Sequence, residues 1–94
     1  MVSIVSLVSL DKLKKGEQGL IKAIDETRLT SNAQLISGDV EGRLLEMGFV
    51  EGAKLQVLHV GIIGHDPIAV RINNSSSIIA LRKNEASTIL VEKI

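Results

Sequence analysis

Two histidines and an aspartate are the residues of this 94-residue chain best suited to chemistry: His59, then His65 followed at once by Asp66. Two imidazoles and a carboxylate are the donor set of the facial triad that holds ferrous iron. The sequence gives these side chains no common direction, because His59 falls within a strand pattern and His65 and Asp66 within a loop, and a surface histidine is the plainer reading of each. Arg71, Arg82 and Lys83 form a second set, a basic spot of the kind that meets phosphate or RNA. Small barrels that bind single strands draw much of their energy from bases stacked on aromatic rings. Phe49 is the only aromatic residue here, so a solvated face is expected and no nucleic acid partner. There is no cysteine, no serine sits in a G-x-S-x-G setting, and the carboxylates fall at helix-surface spacing without pairing. Gly38 and Gly42 lie within a helical pattern with no lysine after them, which excludes a phosphate loop. The chain therefore reads as no enzyme, with no catalytic residue and no cofactor beyond weak ferrous iron binding.

Ninety-four residues make one domain with a modest core, and the core must be aliphatic, since hydrophobic residues are 45% of the chain and nearly all Leu, Ile, Val and Ala. Charged residues are 23%, which places the chain among folded globular domains. Eleven basic and eleven acidic residues cancel, so no overall field attracts nucleic acid or anionic lipid. The absence of cysteine fits a reducing compartment, and the cytoplasm is expected. Residues 1–9 are apolar but broken by Ser3, Ser6 and Ser9 and lack a positive start. They read as neither a signal nor an anchor but as a short strand or arm over a sheet edge, and no direct membrane insertion is expected.

The elements that must position the chemistry follow from periodicity and turn residues. Leu10 and Leu13 share one helical turn that Gly16 can end, and Gln18–Ile24 reads as a strand in which Gly19 marks a bulge or a close backbone approach. Ser31 with Gln34 matches a capping box, and a helical insertion is expected over about 31–47, broken near Gly38 and recapped at Asp39. Ala53–Val60 alternates imperfectly, Ile68–Asn73 alternates cleanly with Ile68, Val70 and Ile72 inward, and Ser77–Arg82 and Thr88–Glu92 are further strands around a helical turn at Lys83–Ser87. The sum is a mostly β domain: a small, five-stranded, mostly antiparallel barrel with one inserted α-helix.

The stretch from Asp39 to Val60 organises the rest. Val40, Leu44 and Met47 share one helix face, Gly48 falls where a left-handed residue ends the helix, and Phe49 is placed to fold back on Leu44. Gly52 occupies the third position of a type II turn, after which a strand begins. Further on, Gly61-Ile62-Ile63-Gly64-His65-Asp66-Pro67 is a loop shaped by two glycines and by the restriction that Pro67 places on Asp66. Two consecutive branched apolar side chains cannot both easily turn inward there. At least one of Ile62 and Ile63 is expected in solvent, against the alternative that both plug the barrel end.

Arg43-Leu-Leu-Glu-Met-Gly-Phe-Val-Glu-Gly52, Gly64-His-Asp-Pro-Ile68 and Ile79-Ala-Leu-Arg-Lys-Asn-Glu-Ala86, in this order, resemble the ferrous iron transport protein A family, FeoA, and Leu13-Lys-Lys-Gly16 resembles its opening turn. Lys15 and Glu51 stand where the family often has proline, and residues 1–9 and 27–38 lie outside the strong match. The resemblance implies a Src-homology-3-like barrel over residues 10–94 in a bacterial cytoplasm. It further implies an accessory role beside the membrane GTPase that imports ferrous iron. The same family domain occurs as the C-terminal module of iron-dependent repressors, and a standalone member is expected here. With a single Phe at a helix cap, no aromatic groove for proline-rich peptides is expected, so a partner contact must use another surface, and the apolar pair on the shaped loop places it at Gly61–Pro67. The alternative is an iron-binding sensor or carrier using His59, His65 and Asp66; a homodimer stays open.

Overall fold

The computed structural model describes residues 7–28, 39–64 and 66–94. The helix start expected at Ser31 and Gln34, and the imidazole of His65, lie outside these residues. Six strands are present among them: β1 (Leu7–Ser9), β2 (Gln18–Ile24), β3 (Lys54–Val60), β4 (Ile68–Ile72), β5 (Ile79–Leu81) and β6 (Ile89–Lys93), with helices α1 (Asp39–Glu46) and α2 (Lys83–Ala86). The five strands expected from the sequence are all there, and the end of the N-terminal arm supplies the sixth by pairing with β6, Val8 opposite Val91. All pairings are antiparallel, in the order β1-β6-β2-β3-β4-β5.

The order does not close. Its two ends, β1 and β5, are only three residues long and do not pair with each other among the described residues, so the barrel is loose and not sealed. β5 is shorter than the Ser77–Arg82 stretch expected. Asn73 and Asn74 take positive φ and the Ser77 N–H donates to the Ser75 hydroxyl at 3.0 Å, which carries the preceding turn as far as Ser77. The imperfect alternation of β3 also has its cause: the register slips between Val57 and His59, so Leu58 is an extra residue in a bulge.

Inward positions build one aliphatic core. Ile21, Leu55, Val57, Ile68, Val70, Leu81, Ile89 and Val91 come from the sheet, Leu10 and Leu13 from the turn after β1, and Val40, Leu44 and Phe49 from α1 and its exit. Each side chain of this size contributes roughly 1.5–3 kcal/mol by leaving water. Gly19 permits close approach of β6, since a Cβ there would meet the Val91 side chain at 3.0 Å. Gly16, with φ of +90°, ends the first turn, and its N–H donates to the Val57 carbonyl at 2.7 Å.

Helix α1 ends as the sequence spacing predicts. Gly48 has φ of +105°, its N–H donates to the Leu45 carbonyl at 3.0 Å, and the Phe49 N–H donates to the Leu44 carbonyl at 3.0 Å, the two bonds of a Schellman cap. Gly52 then takes φ of +90° in a turn closed by Ala53 N–H to Val50 O at 3.0 Å. Bonds from Gly52 N–H to Ile21 O and from Ile21 N–H to Ala53 O, both 2.8 Å, fasten this exit to β2.

Candidate functional site

The β3–β4 connection is built from its base upward. Gly61 donates its N–H to the Pro67 carbonyl at 2.8 Å and lies against the Asp66–Pro67 peptide so closely that a Cβ would overlap the Asp66 carbonyl, so no other residue fits without moving the backbone. Gly64 turns the tip with φ of +63°, and the Asp66 N–H reaches the Ile63 carbonyl at 3.3 Å. Asp66 also fastens the loop to the far end of the sheet, because its Oδ1 accepts the Lys83 N–H at 3.0 Å at the start of α2. Above this fixed base both isoleucines stand in water, Ile62 at 96% and Ile63 at 86% exposure. The plugged alternative, with both turned inward, is not the arrangement found.

The candidate metal ligands do not gather among the described residues. His59 is exposed on the outer face of β3 opposite Ala69, and one oxygen of Asp66 is occupied by a backbone N–H. No group of three or more His, Cys, Asp or Glu that could hold a metal ion occurs among the described residues. Beside the loop base is an open depression of about 450 Å³ lined by Asp11, Asp66, Lys83, Asn84 and Ser87. The Asp11 Oδ1 is buried there without a hydrogen-bond partner. Of the basic spot, Arg71 is half-buried on the outer face of β4, with a buried Nε that has no acceptor, and Arg82 and Lys83 are exposed after β5.

Two long-range contacts carry structural weight that sequence reasoning missed. Glu26 Oε2 accepts the N–H groups of Val40 at 2.9 Å and Glu41 at 3.0 Å, so a carboxylate from the β2–α1 connection satisfies the first donors of α1, where the sequence pointed to recapping at Asp39. Arg43 of α1 pairs with Glu85 of α2, whose other oxygen accepts the Arg82 N–H at 3.1 Å. No local spacing marks either glutamate, since both partners are distant in sequence. Elsewhere the Lys93 ammonium and the Lys14 N–H hold the Glu17 carboxyl below the usual carboxylate range. The Thr27 hydroxyl and N–H do the same for Asp25.

Fold and site together define a small, open, Src-homology-3-like β domain that presents an apolar loop and no assembled catalytic group among the described residues. The family model described as the FeoA domain matches residues 8–93, and the chain belongs to that family. A solution structure of the FeoA protein from Chlorobium tepidum shares 30% identity, with a TM-score of 0.72 over 93% of this chain and 70% of that one. A FeoA-like protein from Clostridium acetobutylicum shares 24% identity, with a TM-score of 0.74 over 97% and 91%. A zinc complex of Stenotrophomonas maltophilia FeoA shares 23%, with a TM-score of 0.69 over 89% and 88%. That protein is described as a prokaryotic SH3 domain protein and put forward as a ferrous iron transport activating factor. A sequence search of curated proteins finds no match. No helix among the described residues is long and apolar enough to cross a membrane.

Proposed function

We propose that this domain is a non-enzymatic accessory of bacterial ferrous iron uptake that works in the cytoplasm by binding the membrane transporter with its GTPase domain, using the Gly61–Pro67 loop as the contact. Membership of the FeoA family supports the iron transport role. The observation that carries the contact is the exposure of Ile62 and Ile63 on a loop whose base is fixed by Gly61 and Asp66. Apolar side chains held in water on a pre-shaped loop favour a protein contact, because little ordering entropy remains to be lost on binding. Ile63→Asp tests the reading. The variant should keep the parent melting temperature and lose association with the transporter in a membrane pull-down. If Ile62→Asp and Ile63→Asp both still support ferrous iron uptake in cells, the loop is not the contact.

A further inference from the structure

Among the described residues no strand pairs with the outer edge of β5, and the hydrogen-bond phase of the sheet identifies the groups it offers. In the β3–β4 ladder the Asn73 N–H donates to Lys54 O at one end and the Gly61 N–H to Pro67 O at the other, both at 2.8 Å. Residues along an antiparallel strand direct their backbone groups to alternate sides. Counted from either end, Ala69 and Arg71 turn theirs toward β3, and Ile68 and Val70 turn theirs toward β5. The register Ile68 to Leu81 and Val70 to Ile79 then commits Ile79 and Leu81 to β4. Ala80, and Ile78 before it, direct N–H and C=O away from the sheet.

The surroundings of this edge are apolar at one point and cationic at three. Ile78 is 60% exposed and Ala80 is exposed beside Ala69 on the outer face. Continuing the register sets Arg71 opposite Ile78, with its Nε buried and lacking an acceptor. Arg82 and Lys83 follow the strand directly, and the nearby carboxylates of Glu85 and Asp66 accept their backbone N–H groups. No ion pair involves Arg71, Arg82 or Lys83 among the described residues.

We propose that the free edge of β5 is a strand-addition site for an extended acidic segment of a partner protein, whose backbone pairs with Ile78 and Ala80 and whose carboxylates meet Arg71, Arg82 and Lys83. An added strand takes its affinity from main-chain bonds and its specificity from alternate side chains. A second copy of this chain fits less well than an acidic segment, because it brings the same cations to the shared edge: paired about Ala80, it sets Arg82 of each copy opposite Ile78 of the other, one strand away from Arg71. The site adjoins the Gly61–Pro67 loop through the bond from the Lys83 N–H to Asp66 but does not use Ile62 or Ile63, so either contact can fail alone.

The test uses the full chain, labelled with nitrogen-15, and a soluble twelve-residue peptide alternating glutamate with valine and threonine, against a lysine-for-glutamate control and oligouridylate. The amides of Ile78 and Ala80 should shift and gain exchange protection with the acidic peptide alone. Arg71→Ala with Arg82→Ala should weaken binding by about tenfold or more, as expected for lost charge-assisted bonds. Ala80→Pro removes an outward donor, which an edge strand tolerates, and should abolish binding at an unchanged melting temperature. Should that variant not fold, Arg71→Glu with Arg82→Glu should transfer binding to the lysine peptide. Ile63→Asp should bind the acidic peptide as the parent does. The proposal is overturned by full peptide affinity in Ala80→Pro, by shifts confined to other residues, by no saturation at millimolar peptide, by oligouridylate moving the same amides, or by a concentration-dependent dimer protecting them.

Discussion

Gly48 and Gly42 lie in the same helical stretch, and replacing each by alanine should move stability in opposite directions. At Gly48 the backbone has φ of +105°, and a Cβ would meet the Ile72 Cδ1 at 3.6 Å, an ordinary contact. Crowding therefore adds nothing, and the cost is the left-handed backbone itself, about 1–2 kcal/mol for an L-residue. Valine, branched at Cβ, should cost more, about 2–3 kcal/mol. If the chain instead relaxes to negative φ, the Gly48 to Leu45 and Phe49 to Leu44 bonds are lost at about 1 kcal/mol each, which leads to a similar total. Gly42 sits inside α1, and among the described residues no atom outside the helix's own backbone lies within 4 Å of its missing Cβ, so Gly42→Ala should stabilise by about 0.5–1 kcal/mol. Urea unfolding resolves both, because with a slope of about 1–3 kcal/mol per molar the midpoint of Gly48→Val should fall by about 1 M and that of Gly42→Ala should rise by roughly half as much. An unchanged midpoint for Gly48→Val would refute the cap and the organising role assigned to Asp39–Val60.

Glu26→Ala should cost about 1 kcal/mol, read in the same titrations, since the N–H groups of Val40 and Glu41 lose their acceptor. Acid should destabilise the domain through Glu17 and Asp25. Both carboxyls lie below their ordinary range in the folded chain, so their contribution is present above the unfolded pKa and is lost as pH falls through the folded value. The melting temperature should accordingly drop from about pH 5 to below about pH 4, and Glu17→Gln should flatten that slope. Anaerobic calorimetry should find ferrous iron bound no tighter than about 0.1–1 mM, because few convergent ligands are available. A stoichiometric micromolar site abolished in His65→Ala would instead favour the carrier reading.

What the sequence made legible was governed by local spacing. Gly48 and Phe49 are one helical turn beyond Leu44, so the cap could be read from adjacent residues, and β4 could be read from the alternation of Ile68, Val70 and Ile72. The exposure of Ile62 and Ile63 followed in part from their adjacency, although only one was required to face water. Contacts that depend on the finished topology were not legible. Glu26 reaches α1 across a connection, Arg43 meets Glu85 between two helices, and whether the two end strands β1 and β5, each three residues long, pair with each other among the described residues is set by the whole sheet. The outward phase of Ala80 is likewise a property of the ladder, fixed by Gly61 with Pro67 and by Asn73 with Lys54, and no pattern within Ile79–Leu81 reveals it.

The exposed isoleucines are best understood against the stability of so small a domain. Burying two such side chains would contribute roughly 3–6 kcal/mol, a sizeable part of the 5–15 kcal/mol typical of a folded domain. The loop forgoes that contribution while fixing its own base, through a glycine that nothing larger can replace at position 61 and through the Asp66 carboxylate on the Lys83 N–H. A connection selected for folding alone would gain by turning one isoleucine inward or by replacing both with polar residues. On the proposed contact, keeping both in water on a held base separates association from folding, so aspartate at Ile63 should be silent in a melting curve and should abolish binding in a pull-down.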